Sequence, residues 1–275
     1  MIRAIIATYG LIAYVSFLAV FVYLIGFMWN FGVPKGINEG EAGSFVLAIL
    51  VNAVLLALFG LQHSVMARPA FKRWWLKYIP KPAERSTYVL LASAVLGLMM
   101  WAWQPIPHIV WDVGDTPAGP LLFAVSAFGW IMVLASTFHI DHFLLFGLKQ
   151  ATFYLLRRRL PAPDFIVRGF YHLVRHPLML GFIIAFWATP RMTVGHLEFA
   201  IFMTGYILVA LRYEERDLVD ELGTAYIAYQ KRTPMLNPLK HPILVGGDDR
   251  RDARSGQAVV RVVVETELSG PIARP

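Results

Sequence analysis

The chain has 275 residues with 25 Lys and Arg against 18 Asp and Glu, a net charge of +7, yet 57% of it is hydrophobic and 16% charged, with mean hydropathy +0.55. That balance lies outside the range of soluble domains and, with apolar runs long enough to cross about 30 Å of hydrocarbon, marks an integral membrane protein. Cysteine is absent, which excludes disulfides, iron–sulfur clusters, zinc–thiolate sites and a cysteine nucleophile, so thiol chemistry here would have to use a substrate's sulfur.

Arg3 precedes a long apolar run to Trp29 without a small-x-small processing site, which reads as an uncleaved first span over 4–28. A second span covers 44–66, after the Gly- and acid-rich turn "WNFGVPKGINEGEAG". The stretch "ARPAFKRWWLKYIPKPAER" mixes Arg68, Lys72, Arg73, Lys77, Lys81 and Arg85 with Trp74, Trp75 and Tyr78, the composition of a membrane-interface segment. A shorter third span is expected over 86–103, a loop without Lys or Arg over 104–120, and a fourth span over 121–139. "DHFLLFGLKQATFYLLRRRLPAPDF" is too polar to cross and reads as an amphipathic surface segment ending in Arg157, Arg158 and Arg159.

Two shorter apolar helices, 178–188 and 196–211, read as a tilted or partial hairpin joined by "TPRMTVG". The fold class is therefore all-α, a polytopic helical bundle of five to six membrane helices with a cytoplasmic C-terminal helix. Lys and Arg crowd 68–85, 149–175 and 212–240, whereas 29–43 and 104–120 hold only Lys35, so both termini are expected in the cytoplasm, with a bacterial inner membrane as the setting. The basic residues report topology, and no nucleic-acid partner is expected. The membrane domain is expected over 1–240, followed by a loosely ordered polar tail over 241–275.

The polar residues concentrate in three places. In "FYHLVRHPLMLGF", Pro177 suits the first turn of a helix, placing Arg175 and His176 at an N-terminus that favours anions, with Gly181 permitting close backbone approach. The structural alternative for Arg175 is a headgroup anchor. "LRYEERDLVDELGTAYIAYQKRTPMLNP" continues the last apolar helix into a charged one, with Glu214 and Glu215 at the membrane exit, and Leu218, Leu222, Tyr226 and Tyr229 recur at helical spacing, a stripe that packs this segment back on the membrane domain. His139, Asp141 and His142 come third. Residues three apart share a helix face, so the two histidines are candidates for acid–base or substrate-positioning work; metal binding and ordinary hydrogen-bonded roles are the alternatives, and with no third ligand nearby no metal is assigned. His63 and His108 read as structural or interfacial.

The ordered set "RHPLMLG", "EERDL" and "GTAYIAYQKRTPMLNP" resembles the C-terminal half of the isoprenylcysteine carboxyl methyltransferase superfamily over 170–238, with Met179 where that family has Tyr. "HIDHFLLFGLKQ" upstream is similar to the methanethiol S-methyltransferase and NnrU-like branch, and that likeness extends over about 10–240. The resemblance implies S-adenosylmethionine bound by the C-terminal region: its carboxylate on Arg175, His176 and the helix opened by Pro177 and Gly181, its ribose or amine on Glu214 or Glu215, its sulfonium against Tyr226 or Tyr229. It implies a small thiol acceptor, methanethiol giving dimethyl sulfide, reaching the site through membrane lipid. His139, His142 and Arg175 are the expected catalytic groups. The rival readings are a methyltransferase for a lipid or prenylated carboxylate, and a haem-binding or proton-conducting bundle.

Overall fold

In the computed structural model, residues 1–161 and 167–240 are described; the expected tail over 241–275 lies outside them. Five helices are long and apolar enough to span a membrane: α1 (Ile2–Trp29), α2 (Phe45–Ala67), α4 (Lys81–Ala102), α5 (Ala118–Ile140) and α9 (Val194–Leu222). A short α3 (Pro69–Trp75) links α2 to α4, and α6 (His142–Leu145) and α7 (Leu148–Leu155) follow α5. After the 3-10 turn Gly169–His172 comes α8 (Pro177–Trp187), too short to cross alone, and α10 (Thr224–Arg232) is the last described helix. The protein is a multi-pass membrane protein, and its lipid face is the row of large apolar side chains left exposed, such as Leu50, Val54, Leu61, Ile131 and Val209.

Two expectations need correction. The run 196–211 is not part of a short hairpin helix but belongs to the 29-residue α9, long and apolar enough to span a membrane; its unbroken continuation through the charged "EERDLVDEL" is as expected, since nothing in that stretch breaks a helix. The expected loop over 104–120 contains a strand, β1 (Ile109–Asp112), paired antiparallel with β2 (Arg191–Thr193) between α8 and α9. This ribbon joins the end of α8 to the start of α9. Val194 and Gly195 donate to the carbonyls of His108 and Ile106, which satisfies the backbone between the short helix and the long one. The third span is also longer than expected, because α4 starts at Lys81 with Pro80 as its cap and Pro82 in its first turn.

Packing places α8 where the site needs it. Gly129 of α5 and Gly181 of α8 meet backbone to backbone: a Cβ on Gly129 would lie 2.7 Å from the Ala185 nitrogen, and one on Gly181 2.8 Å from the Gly129 carbonyl. In lipid, where apolar side chains gain little by leaving their solvent, such small-residue contacts drive helix association. Ser126 of α5 reinforces the seam by donating to the Ala185 carbonyl at 3.1 Å. At the end away from the basic loops, Trp103 is fully buried edge-to-face between Phe27 and Phe199 and donates its indole N–H to Ile37. Between α1, α2 and α4 on one side and α5, α8 and α9 on the other lies a cavity.

Candidate active site

Pro177 is the first residue of α8, as expected, and His176 is its cap residue. The extended backbone just before it is claimed by the C-terminal segment: Arg175 N–H donates to Pro234 O at 2.9 Å and His176 N–H to Met235 O at 3.2 Å. That pairing requires the chain to fold back after α9. It does so at Gly223, and α10 then buries Tyr226 against the domain, as the apolar stripe predicts.

Glu215 stands at the centre of what this folding assembles. Its Oε1 accepts from Arg175 Nε at 2.8 Å, His176 Nε2 at 2.6 Å and the Tyr226 hydroxyl at 2.7 Å. Its Oε2 accepts from Arg175 Nη2 at 2.7 Å and Gln230 Nε2 at 2.6 Å. Arg175 grips the carboxylate with both prongs and spends Nη1 on the carbonyls of Thr233 and Gln230. Both side chains are about one-tenth exposed. Arg175 is thus joined to Glu215 rather than open to a ligand's carboxylate, and little hydrogen-bonding capacity remains on either group. Burial, and next the hydrogen bond given to Glu215, push the Tyr226 phenol above its ordinary value, so it remains a donor. Burial does the same to Tyr171 and Tyr229, and the Tyr229 hydroxyl donates to Tyr171 O at 2.6 Å.

Glu214 behaves differently. It is 47% exposed, and its described polar contact is a 3.9 Å approach to His176 Nδ1. It faces a cavity of about 600 Å³, within the range of small-molecule sites. The mouth of that cavity is polar, with Arg168, Tyr171, Arg175, Glu214 and Tyr229; its interior is apolar, with Leu24, Phe59, Leu96, Phe186 and Met203. Met179, His176 and Tyr226 also border it, whereas Pro177, Gly181 and Glu215 do not. Sequence reasoning missed Arg168 and Tyr171, which carry no motif of their own. It also missed Gln230, although four residues after Tyr226 it lies on the same helical face.

The two histidines do not share a helix face. Helix α5 ends at Ile140, Asp141 takes φ 153°, and His142 starts α6, so the three-residue spacing loses its meaning at the break. Asp141 caps α6 through Leu144 N–H and is paired with Lys149. His142 is buried, stacked on Phe138 at 4.3 Å, with Nε2 2.8 Å from the Tyr14 hydroxyl and Nδ1 2.8 Å from Thr137 Oγ1. Thr137 already donates to Leu134 O, so Nδ1–H is the donor to Thr137 and Nε2 accepts from Tyr14. Burial lowers the His142 pKa, with Asp141 working against it, which fits this neutral tautomer. His139 is wedged against Gly169, where any Cβ would strike its ring, and edge-on to Phe170 at 6.1 Å. Both histidines border the cavity.

The profile of the NnrU protein family matches residues 50–213. The chain belongs to that family. It is 51% identical over 236 residues to methanethiol S-methyltransferase 2 of Bradyrhizobium diazoefficiens, covering 86% of this chain and 91% of that protein. It is 50% identical over 235 residues to the methanethiol S-methyltransferase of Mycobacterium tuberculosis, covering 85% and 96%. Nurim of Xenopus laevis is 32% identical over 219 residues, covering 76% and 74%. No solved structure matches the chain. The NnrU segment takes in the cavity walls from α2 to α9 but stops one residue before Glu214, so α1 on one side and the Glu214–α10 region on the other close the site from outside it.

Proposed function

We propose that this protein transfers a methyl group from S-adenosylmethionine to methanethiol, giving dimethyl sulfide, with its basic end in the cytoplasm of a bacterial inner membrane. The observation that carries the reading is a cavity with a polar mouth and an apolar interior, in a chain half identical to methanethiol S-methyltransferases over most of its length. The mouth fits the donor's chemistry. Glu214 has acceptor capacity for ribose hydroxyls or an amine, the Arg168 guanidinium makes no hydrogen bond or ion pair with described residues and suits a carboxylate, and tyrosine faces suit a sulfonium. The interior suits a small thiol arriving from lipid.

S-adenosylmethionine supplies an electrophilic methyl group when bound. The protein's share is alignment and exclusion of water, since an in-line displacement at carbon needs a thiolate, a fixed angle and a dry pocket. Arg175 and Glu215 hold α8, α9 and α10 in register, so that Glu214, Tyr226 and Tyr229 stay on the rim. His139 and His142 line the cavity wall. The haem reading loses support from His142, whose two ring nitrogens are taken by Tyr14 and Thr137. Headspace gas chromatography of cells expressing the protein and supplied with methanethiol tests the reading. Dimethyl sulfide above an empty-vector control is the expected result, and its absence with the protein present in the membrane would sink it.

A further inference from the structure

The mouth has its polar groups from the segment before α8, from α9 and from α10, but the cavity has a second polar patch on its opposite wall, built by α2 and α4, whose residues lie outside the C-terminal motifs of the sequence. His63 sits one turn before the end of α2, and Arg85 and Tyr88 lie near the start of α4; all three border the cavity. The His63 ring lies 5.4 Å from Phe59 and 5.2 Å from Tyr88, and its Nδ1 is buried without a hydrogen-bond partner. A buried imidazole nitrogen left unpaired costs stability, and natural proteins keep few such groups without a use. Arg85 donates Nε to Leu145 O at 2.6 Å, and its guanidinium lies 5.0 Å from the centre of the Tyr88 ring; it forms no ion pair with a described carboxylate. A neutral base and an unneutralised cation therefore share one face of an otherwise apolar chamber.

Their depth is fixed by a neighbouring bond. Ser64 Oγ lies 3.1 Å from the Tyr206 hydroxyl of α9, so His63 lies level with residue 206, roughly two helical turns from Glu214 toward the interior. A donor held at the mouth would direct its reactive end toward this wall. Of the other histidines bordering the cavity, His142 has both nitrogens bonded and His176 is held by Glu215; His139, whose Nδ1 is also buried without a partner, has its ring wedged against Gly169. The titratable and charged groups facing His63 are Arg85 and Tyr88 from α4 and Tyr206 from α9; α3 presents only Phe71 and Trp75 to this cluster.

We infer that the acceptor thiol is received on this wall, with His63 taking the S–H proton and Arg85 stabilising the thiolate, an inference that rests on the thiol-methylation reading above. The balance is simple. The S–H proton passes to a ring nitrogen of His63, and the thiolate's electron pair forms the new carbon–sulfur bond. The bond from the methyl carbon to the donor's sulfonium sulfur breaks with its electrons remaining on that sulfur, which becomes a neutral thioether. The imidazolium then returns its proton to water.

The experiment compares purified wild-type protein with His63→Gln, using methanethiol and an aromatic thiol that is already a thiolate at neutral pH. With methanethiol at pH 7, His63→Gln is expected to lose about 100-fold in rate, the usual scale of general-base catalysis. The loss should shrink as pH rises into the range where methanethiol ionises unaided, and nearly vanish with the aromatic thiol, while calorimetric binding of S-adenosylmethionine stays unchanged. A loss equal for both thiols and flat with pH, or no loss, overturns the inference. Should His63→Gln not bind the donor, Arg85→Lys decides: a raised KM for methanethiol with little change in kcat supports the thiolate site, and an unchanged KM overturns it. Wild-type protein that methylates neither thiol fails the proposed function instead.

Discussion

The two acids at the end of α9 are neighbours in sequence and opposites in circumstance. Glu215 accepts five hydrogen bonds from four residues and is withdrawn from the cavity, whereas Glu214 is half exposed and faces it. Consecutive residues on a helix are turned about 100° apart, so one points into the fold and the other toward the space the fold encloses. The difference teaches which polar groups can recognise a ligand. A carboxylate saturated by the protein holds a shape; one with spare capacity has something to offer.

The sharpest way to break this contrast is Glu215→Gln. It leaves Arg175 buried without its anion, and a loss of about 3 to 5 kcal/mol of stability is expected. Denaturation in detergent would measure it, and a variant as stable as wild type would deny Glu215 its framing role. Arg175→Lys keeps the charge but loses the planar fork, so a loss of about 2 to 3 kcal/mol is expected, with methyl-transfer activity falling in step with the folded fraction. Activity collapsing in fully stable protein would instead put Arg175 on the ligand.

Gly169→Ala tests the wall beside the mouth. Gly169 has φ 52°, and an added Cβ would meet the His139 ring, so about 1 to 3 kcal/mol should be lost. Combining it with His139→Ala should recover part of that; no recovery would mean the two residues are not in contact. Glu214→Gln should leave stability unchanged and weaken binding of S-adenosylmethionine about tenfold, the worth of one hydrogen bond to a charged group. Unchanged affinity would erase the distinction between the two acids.

The smallest effect concerns His142. Its folded-state pKa is lowered, so the stability tied to its neutral ring is present above the ordinary value of about 6.5 and is lost as pH falls toward the lowered one. Thermal stability should decline below about pH 6.5 in wild type and decline less in His142→Gln. Parallel profiles would separate His142 from the acid sensitivity.

Much of this was legible before any coordinate. Four of the five spans follow from runs of apolar residues too long for anything but a bilayer, the fifth, α9, being longer than its apolar run announces, and Pro177 announces the start of α8 because proline suits a first helical turn. The return of α10 onto the domain follows from the spacing of Leu218, Leu222, Tyr226 and Tyr229. The ribbon of β1 and β2 was not legible, since three or four residues carry no periodicity and exist as strands only because they meet each other. The separation of His139 from His142 was hidden for a related reason: Asp141 breaks the helix by taking a backbone conformation that residue type does not announce.

Composition, hydrophobic periodicity and motif order by themselves determined that this chain is a membrane helical bundle resembling methyltransferases, because those properties depend on residues close together along the chain. Which carboxylate is saturated by the protein and which keeps spare acceptor capacity at the cavity, and that His63 and Arg85 come to border the same cavity as the mouth, only the tertiary structure decided. Hydrogen-bond saturation and burial are properties of what surrounds a side chain in space, and in this fold residues 63, 85, 175, 215 and 230 are gathered from opposite ends of the sequence.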